Sequence, residues 1–329
     1  MASKNEAGRD IVLKLIKKFP KTPTATLAKK AYTEAPECFS GVEAARNIIR
    51  YYRGAMGKRD RSKAIVPVVE RPRNPFEDLP KSHKVDRMPF EIKAKSILGL
   101  FDVHIPYHDE EALKIALNYG KTQDVDCILI GGDLLDCHQL SDFVKDPRKR
   151  KFADELYDVR QFFSVLRKTF PKAQIYYKIG NHEERYWRYM QVKAPELLDV
   201  DALTFESLTH CDKYGVKTIN GRTKINIGRL SVFHGHEFGK SVFSPVNVAR
   251  GLYMRAKASA ICGHSHQTSE HTERDVNDSI VTTWSVGCLC ELSPDYAPYN
   301  KWNHGFIHIV SDGNNFHVQN FRIHEGKIL

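Results

Sequence analysis

The spacing of apolar residues along the chain separates a short helical segment from a longer one built of strands and helices. Over residues 9–57, apolar residues recur every three to four positions, which predicts short amphipathic helices. From residue 96 onward, SILGLFDVH, DCILIGGD and AQIYYKIGN predict buried strands with helical patterns between them, and this alternation predicts βαβ units with a parallel sheet. Shorter strand patterns in the final third predict a second sheet. We therefore expect an α/β fold, a two-sheet α/β sandwich preceded by a small helical domain.

The same pattern sets the expected domain boundaries. We assign residues 1–57 to a basic helical domain, residues 58–95 to a Pro-rich linker and residues 96–329 to the α/β domain. The linker has five prolines among charged residues, which is typical of an extended segment. In the third helical pattern, FSGVEAARNIIRYYRG, Ser40 and Glu43 have the spacing of a capping box.

Charge is unevenly distributed along the chain. The net charge is +10, and residues 1–95 hold 22 Lys and Arg against 11 Asp and Glu. Three short helices with an arginine-rich third one resemble a helix-turn-helix module, which implies nucleic-acid binding through phosphate contacts. Its candidate contacts are Arg46, Arg50 and Arg53. The structural alternative is a basic helical cap that packs on the main domain.

Composition favours a soluble protein of a reducing compartment, and we expect a cytoplasmic location. The chain has no apolar run long enough for a membrane span, and its first residues, MASKNEAGRD, lack the apolar stretch of a secretory signal. Seven cysteines, an odd number, do not indicate a disulfide framework. Cys288 and Cys290 form only a C-x-C pair, and we expect both to serve the core.

Each predicted strand of the α/β domain ends in polar residues that a core would reject. Functional sites of open α/β sheets gather beyond the carboxyl ends of the strands, so these side chains are expected to converge. Carboxylate, amide and imidazole groups together suit divalent metals, and the number of ligands suits two ions that share a bridging carboxylate. We expect Mn²⁺, with Fe, Zn, Ni and Mg as alternatives. The candidate ligands are Asp102, His104, Asp133, Asn181, His234, His264 and His266.

The ordered motifs Asp-x-His, Gly-Asp-x-x-Asp, Gly-Asn-His-Glu, His-Gly and Gly-His-x-His resemble those of the calcineurin-like metallophosphoesterase superfamily over residues 96–329. The resemblance implies a metal-dependent phosphoesterase with two ions bridged by Asp133. It assigns to one ion Asp102, His104, Asp133 and His266. It assigns to the other ion Asp133, Asn181, His234 and His264.

The resemblance also implies roles for residues beside the ligands. His182 is expected to contact the phosphate and assist the leaving group, while a metal-bridging hydroxide attacks. Asp136 is expected to orient a neighbouring histidine, and Glu183 either does the same or caps the following helix. The glycines before Asp133, Asn181 and His264 are expected to let the backbone turn sharply.

Departures from one branch of the superfamily indicate the substrate. Serine/threonine protein phosphatases carry arginines beside these motifs, whereas this chain has Cys137 and Ile179 there. The sequence looks more like the phosphodiesterase and nuclease branches. Lys149 and Arg150, in the basic run KDPRKRKF, could guide a polyanion to the site, and the aromatic run ERYWRYM could stack bases or pack against the sheet.

We therefore expect hydrolysis of a phosphodiester, with DNA as the favoured substrate. One alternative is a phosphomonoesterase or small-nucleotide phosphodiesterase. Another is a non-catalytic nucleic-acid-binding protein with a vestigial metal site. The sequence leaves the oligomeric state undetermined.

Overall fold

The computed structural model describes residues 4–56, 64–65, 76–145, 151–239 and 246–329. Two compact units divide the chain, Met1–Lys84 and Val85–Leu329. Over the described residues, no helix combines the length and the apolar character needed to cross a membrane.

The first unit is a bundle of three helices with its own core. The helices are α1 (Lys4–Lys18), α2 (Thr24–Glu34) and α3 (Val42–Tyr52). Apolar residues at helical spacing meet between them and are buried; they are Val12, Leu15, Ile16, Leu27, Ala28, Ala31, Ala45 and Ile49. Helix α3 begins after Gly41 without a side-chain cap, so the predicted capping box of Ser40 and Glu43 does not form.

The arginines of the third helix do not share one environment. Arg53 donates to the carbonyl oxygens of Thr22 and Pro20 at 2.8 and 3.1 Å, so its guanidinium closes the turn between α1 and α2. Arg53 therefore has a structural role within the bundle, and its contact with nucleic acid stays a prediction. Arg46 is exposed and lies 3.2 Å from a carboxylate oxygen of Glu43, whereas Arg50 is half-buried.

The second unit contains two sheets and further helices. Its strands are β1 (Phe90–Glu91), β2 (Ser96–Leu100), β3 (Cys127–Ile130), β4 (Gln174–Lys178), β5 (Val216–Ile219), β6 (Ile225–Ile227), β7 (Leu230–Val232), β8 (Ala260–Cys262), β9 (Ser269–Arg274), β10 (Ile280–Ser285), β11 (His304–Ser311), β12 (Phe316–His324) and β13 (Lys327–Ile328). Its helices are α4 (Glu110–Thr122), α5 (Phe152–Thr169), α6 (Glu184–Lys193), α7 (Phe205–Thr209), α8 (Cys211–Tyr214) and α9 (Val248–Ala256).

The strand order places four parallel strands on one side of the larger sheet, with β5 at its edge. The seven-stranded sheet runs β13-β12-β11-β2-β3-β4-β5, and β2 to β5 are parallel neighbours. The six-stranded sheet runs β1-β6-β7-β8-β10-β9 and mixes parallel and antiparallel pairs. The predicted βαβ units and the second sheet are both present.

Alternation along β2 shows how the layers are held together. Ile97 lies in a core shared with Ile225 and Val232 of the other sheet, whereas Leu98 lies in the core with Ala116 and Phe163 of the covering helices. Because successive side chains of a strand point to opposite faces, one strand serves both cores. The α/β sandwich predicted from the sequence is therefore confirmed.

The sheet extends into the segment assigned to the linker. Phe90 and Glu91 pair in parallel with Ile225 and Asn226, and Ile92 is buried between the sheets. The predicted linker therefore runs too far, because an edge strand of two residues carries too little periodicity to be recognised among charged neighbours.

Candidate metal centre

The ends of five strands bring the predicted ligands to one edge of the sandwich. Asp102 and His104 follow β2, Asp133 follows β3 and Asn181 follows β4. Parallel strands place their carboxyl ends at the same edge, which explains why residues so distant in sequence meet. The loops after β7 and β8 of the other sheet add His234, His264 and His266.

One half of the cluster surrounds the buried carboxylate of Asp133. Its Oδ2 lies 3.2 Å from Nε2 of His234 and 3.9 Å from Nε2 of His104. Oδ1 of Asn181 lies 3.1 Å from Nε2 of His234. The ligand atoms of Asp133, His234 and His264 all lie within 4.8 Å of one another, close enough to share one ion. This carboxylate is therefore placed between two sets of imidazoles.

The other half surrounds Asp102, which is fully buried. Its Oδ1 lies 3.4 Å from Nε2 of His266 and has no hydrogen-bond partner among the described residues. Nε2 of His104 and Nε2 of His266 face each other at 3.3 Å. A buried carboxylate oxygen without a donor, beside converging imidazole nitrogens, fits a divalent cation. The residues present therefore fit the metal that the motifs imply.

The backbone at the ligands is held in a conformation that L-residues seldom adopt. Five of the predicted ligands have positive φ values, between 51° and 66°; they are Asp102, His104, Asp133, His264 and His266. Each such residue costs on the order of 1–3 kcal/mol, and the conformation persists only where the surrounding structure enforces it. Strain of this kind concentrates at functional sites, in agreement with the clustering of ligand-type side chains here.

Close approach of the backbone explains the glycines at this edge. A Cβ on Gly180 would lie 2.1 Å from Oδ1 of Asp133, and one on Gly132, whose φ is +111°, would lie 2.4 Å from Nδ1 of His234. Only Gly132 of these two has a positive φ. Gly180 is therefore required for space beside Asp133 rather than for the sharp turn that the sequence suggested.

The ring of His182 is oriented by Asp136. Its Nδ1 lies 2.8 Å from the backbone oxygen of Asp136 and 3.1 Å from the Oδ1 of that residue. The same Oδ1 lies 3.3 Å from Nδ1 of His104. Nε2 of His182 faces the centre, 3.8 Å from Oδ2 of Asp133.

Arg185 also reaches this ring, and the sequence analysis missed it. Its Nη2 lies 3.0 Å from Nε2 of His182, and its Nη1 donates to the backbone oxygen of Asp136 at 2.8 Å. The available signal was its position three residues after His182 at the start of α6, a spacing that puts two side chains on one helix face.

Glu183 connects the loops after β3 and β4. Its carboxylate accepts hydrogen bonds from the backbone N–H groups of Asp133, Leu135 and Gly180 at 3.1, 2.9 and 2.7 Å. Glu183 is the N-cap residue of α6, although its side chain makes no capping hydrogen bond to that helix. The side chain acts on the backbone that carries Asp133.

Charge within the cluster raises the pKa of two of its histidines. Burial disfavours the charged imidazole of His234, yet Asp133 and Asp102 raise its pKa to about 10. Burial likewise opposes the charge on His266, and Asp102 raises its pKa to about 10. A bound cation takes the place of the proton on such a ring, because metal ligands bind in their deprotonated form.

A second buried ion pair supports the loop that carries His234. Lys178 is fully buried, and its Nζ lies 2.9 Å from Oε1 of Glu237. Glu237 accepts from the backbone N–H groups of His234 and Gly235 at 3.1 and 2.6 Å. Lys178 also donates to the carbonyl oxygens of Gly221 and Thr223. Neither member of the pair was singled out from the sequence.

Cys290 lies at the margin of the centre rather than in the core alone. Its Sγ is 3.8 Å from Nδ1 of His266, and both Cys288 and Cys290 are buried. The alternation argument for this pair does not hold, because residues 286–290 follow β10 and do not form a regular strand.

A cavity of about 740 Å³ opens beside Asn181. Its lining includes three arginines, two glutamates and one tryptophan; they are Arg185, Arg188, Arg222, Glu184, Glu206 and Trp187. Lys149 and Arg150, which the sequence placed at the mouth of the site, lie outside the described residues.

The aromatic residues of ERYWRYM mainly pack. Tyr186 is buried, and the ring of Trp187 lies 5.1 Å from that of Phe205. Tyr189 is 38% exposed. The packing alternative is therefore the one that the contacts of Tyr186 and Trp187 support.

The two-sheet α/β sandwich, with the motif residues gathered at one edge, is the arrangement that the sequence resemblance to the calcineurin-like metallophosphoesterase superfamily predicts. No protein-family model matches the chain, and no curated protein matches it.

Solved structures of low identity are similar to it in part. Vacuolar protein sorting 29 from Cryptosporidium parvum is 14% identical, with 72% of this chain and 95% of that chain covered and a TM-score of 0.39. The E. coli phosphoesterase YfcE is 12% identical, with 65% and 87% covered and a TM-score of 0.33. A dimetal phosphatase from Danio rerio is 12% identical, with 70% and 96% covered and a TM-score of 0.29. At these low values we base the functional proposal on the chain's own residues.

Proposed function

We propose that the chain is a metal-dependent phosphoesterase. The observation that carries the proposal is the meeting of seven ligand-type side chains, with Asp133 between the other six and a buried, unpartnered oxygen of Asp102 among them. One ion would be held by Asp102, His104, Asp133 and His266. The other would be held by Asp133, Asn181, His234 and His264. When bound, such ions activate water at neutral pH and stabilise charge on phosphoryl oxygens.

His182 is the proposed proton donor to the leaving oxygen. Its Nδ1 is occupied by Asp136, which leaves Nε2 directed at the centre. General acid assistance by a positioned histidine is typically worth about 10²–10⁴-fold. In the free protein Arg185 donates to this Nε2, which is then the unprotonated nitrogen of the ring. For His182 to act as the acid, the guanidinium moves onto a non-bridging phosphate oxygen when substrate enters, and Nε2 takes up a proton from solvent.

The test is hydrolysis of bis(4-nitrophenyl) phosphate by the full chain across Mn²⁺, Zn²⁺, Fe²⁺, Ni²⁺ and Mg²⁺. We expect metal-dependent turnover, and Asp133→Asn should weaken the binding of both ions because its carboxylate is the shared ligand. Absence of turnover with every metal contradicts the activity. Loss of a single ion in Asp133→Asn contradicts the bridging role.

A phosphodiester, with DNA first among the candidates, is the proposed substrate. The support is the arginine-lined cavity beside Asn181, which a polyanion could follow away from the centre, and the excess of basic residues over 1–95. The test measures the affinity for labelled oligonucleotides and compares the full chain with a chain that lacks residues 1–84. We expect salt-dependent loss of affinity for long DNA and unchanged turnover of the small diester. Unchanged DNA affinity removes the first unit from the proposal.

A phosphomonoester is the second candidate substrate, and Arg185 favours it. Serine/threonine protein phosphatases have arginines where this chain has Cys137 and Ile179, and the guanidinium of Arg185 could take over part of their role. A guanidinium can donate two parallel hydrogen bonds to a phosphate dianion. Arg185→Gln should lower turnover of 4-nitrophenyl phosphate more than that of bis(4-nitrophenyl) phosphate if monoesters are the substrates. An equal effect on both leaves the phosphodiester proposal in place.

A further inference from the structure

The loop of residues 291–303 brings aromatic rings to the metal centre. The ring of Trp302 meets that of His266 edge-on, with 4.2 Å between centroids. The ring of Tyr296 lies 6.2 Å from that of Trp302. The two rings therefore extend from a predicted ligand outward along one side of the centre.

Tyr296 places the outer end of this pair near the catalytic side. Desolvation, followed by the charge of Asp136, raises the pKa of its hydroxyl to about 12. The positive charge of Arg185 lowers the pKa of the same hydroxyl. The phenol is therefore within range of the residues that hold His182, although the side chain as a whole is mostly exposed.

Hydrogen bonds inside the loop hold these rings in place. The side chain of Asn300 donates to the carbonyl oxygens of Leu292 and Ala297 and accepts from the backbone N–H of Trp302. Asn303 follows, and its backbone N–H donates to the carbonyl oxygen of His266 at 2.9 Å. A loop fixed at Asn300 and at Asn303 presents the rings without first having to be ordered by a ligand.

Aromatic faces beside a phosphate site suit one chemical group in particular. A nucleobase is flat and joined to its phosphate through a sugar, and stacking on an aromatic side chain tolerates any base. An aromatic side chain, Trp187, also lines the arginine-rich cavity beside Asn181, but its ring packs on that of Phe205.

We propose that Trp302 and Tyr296 form a nucleobase-stacking subsite, so that the centre prefers phosphate esters that carry a base next to the reacting phosphate. This deepens, and rests on, the proposed phosphoesterase function. Trp302 and Tyr296 act in it as specificity-determining residues, and Asn300 as a positioning residue.

The test compares two ligands that differ only in the base. Thymidine 5′-monophosphate and 2-deoxyribose 5-phosphate are titrated by calorimetry into the full chain with His182→Ala and Mn²⁺, so that binding is read with turnover suppressed. We expect thymidine monophosphate to bind about 5- to 150-fold more tightly, the range typical of one stacked base. Trp302→Ala should abolish the preference, and Trp302→Phe should retain part of it.

Tyr299 supplies the matched control. It lies in the same loop and is 99% exposed, so its ring does not pack against the described residues. Tyr299→Ala should leave the preference unchanged. Equal affinity for the two ligands, no binding of either, or the same preference in Trp302→Ala would overturn the subsite. A lowered affinity for both ligands alike would assign Trp302 to the support of His266 and overturn it as well.

The outcomes separate this inference from the function on which it rests. A chain that turns over bis(4-nitrophenyl) phosphate but binds the two ligands equally retains the phosphoesterase proposal and loses the subsite. If the chain hydrolyses neither bis(4-nitrophenyl) phosphate nor 4-nitrophenyl phosphate with any metal, the phosphoesterase proposal is wrong, whatever the ligand preference.

Discussion

Oδ1 of Asp136 lies 3.1 Å from Nδ1 of His182, and this contact decides which nitrogen of the ring faces Asp133. The backbone oxygen of Asp136 accepts from the same Nδ1, so the proton on that nitrogen is fixed by two acceptors. Nε2 is left for chemistry at the centre. Because His104 uses the same carboxylate oxygen, one side chain orients both a predicted ligand and the predicted acid.

Removing the Asp136 carboxylate should therefore affect two functions together. For Asp136→Asn we expect a loss of about 10- to 100-fold in activity, in metal affinity, or in both, as is typical when the residue behind a ligating histidine is changed. Steady-state turnover and Mn²⁺ titration would measure the two. Asp142→Asn, an exposed carboxylate paired with Arg188, is the matched control and should behave as wild type. Wild-type turnover and Mn²⁺ affinity in Asp136→Asn would show that the contact is dispensable.

His182→Ala should separate catalysis from metal binding. We expect turnover to fall by about 10²–10⁴-fold while both ions are retained, because its role is proton transfer rather than ligation. Elemental analysis beside steady-state kinetics would check this, with the exposed His324→Ala as control. A parallel loss of metal would show that His182 is itself a ligand. The geometry permits this, because the ligand atoms of His182, His104 and Asp133 lie within 4.8 Å of one another.

Gly180→Ala should disturb the centre through contact alone. The added Cβ would lie 2.1 Å from Oδ1 and 2.4 Å from the backbone nitrogen of Asp133, so the loops after β3 and β4 must separate. We expect a stability loss of about 1–3 kcal/mol, the usual range for overpacking, with weaker binding of both ions. Thermal unfolding and Mn²⁺ titration would measure these. A Cβ on Gly41 meets nothing within 4 Å, so Gly41→Ala should keep wild-type metal affinity.

Breaking the Lys178–Glu237 pair should destabilise the second unit. Lys178→Met leaves a nearly buried carboxylate without its cation, which typically costs about 3–5 kcal/mol. The double variant Lys178→Met with Glu237→Gln should recover part of that loss, because it removes the uncompensated charge. Urea denaturation of the two single variants and the double variant forms the cycle. Fully additive effects would mean that the two side chains do not interact.

Acid should weaken the sandwich partly through His308. Burial lowers the pKa of this histidine, so the folded chain takes up its proton less readily than the unfolded chain. Its contribution to stability is therefore complete above the ordinary pKa of about 6.5 and is lost as the pH falls through the lower folded value. Urea midpoints between pH 7.5 and pH 5 should fall for wild type and fall less for His308→Gln. If the urea midpoints of the two proteins fall equally with pH, His308 does not contribute to the acid sensitivity.

The sequence was most informative where polar residues interrupt an apolar run. Asp102 and Asn181 stood out because each ends a strand that is otherwise buried, and the parallel topology then required them to meet. Arg185 and Lys178 were missed because a charged residue on a helix or strand is usually solvated, and only the folded chain shows what surrounds it. The structural role of Arg53 was missed for the same reason, since its carbonyl partners belong to a turn some thirty residues earlier.

Glu183 also has a consequence for how the protein acquires its ions. Because this carboxylate fastens three main-chain amides of two separate loops, the geometry around Asp133 is established before any cation arrives. A site that is already formed needs little rearrangement when it binds an ion, so exchange of one transition metal for another should leave the surrounding backbone unaltered.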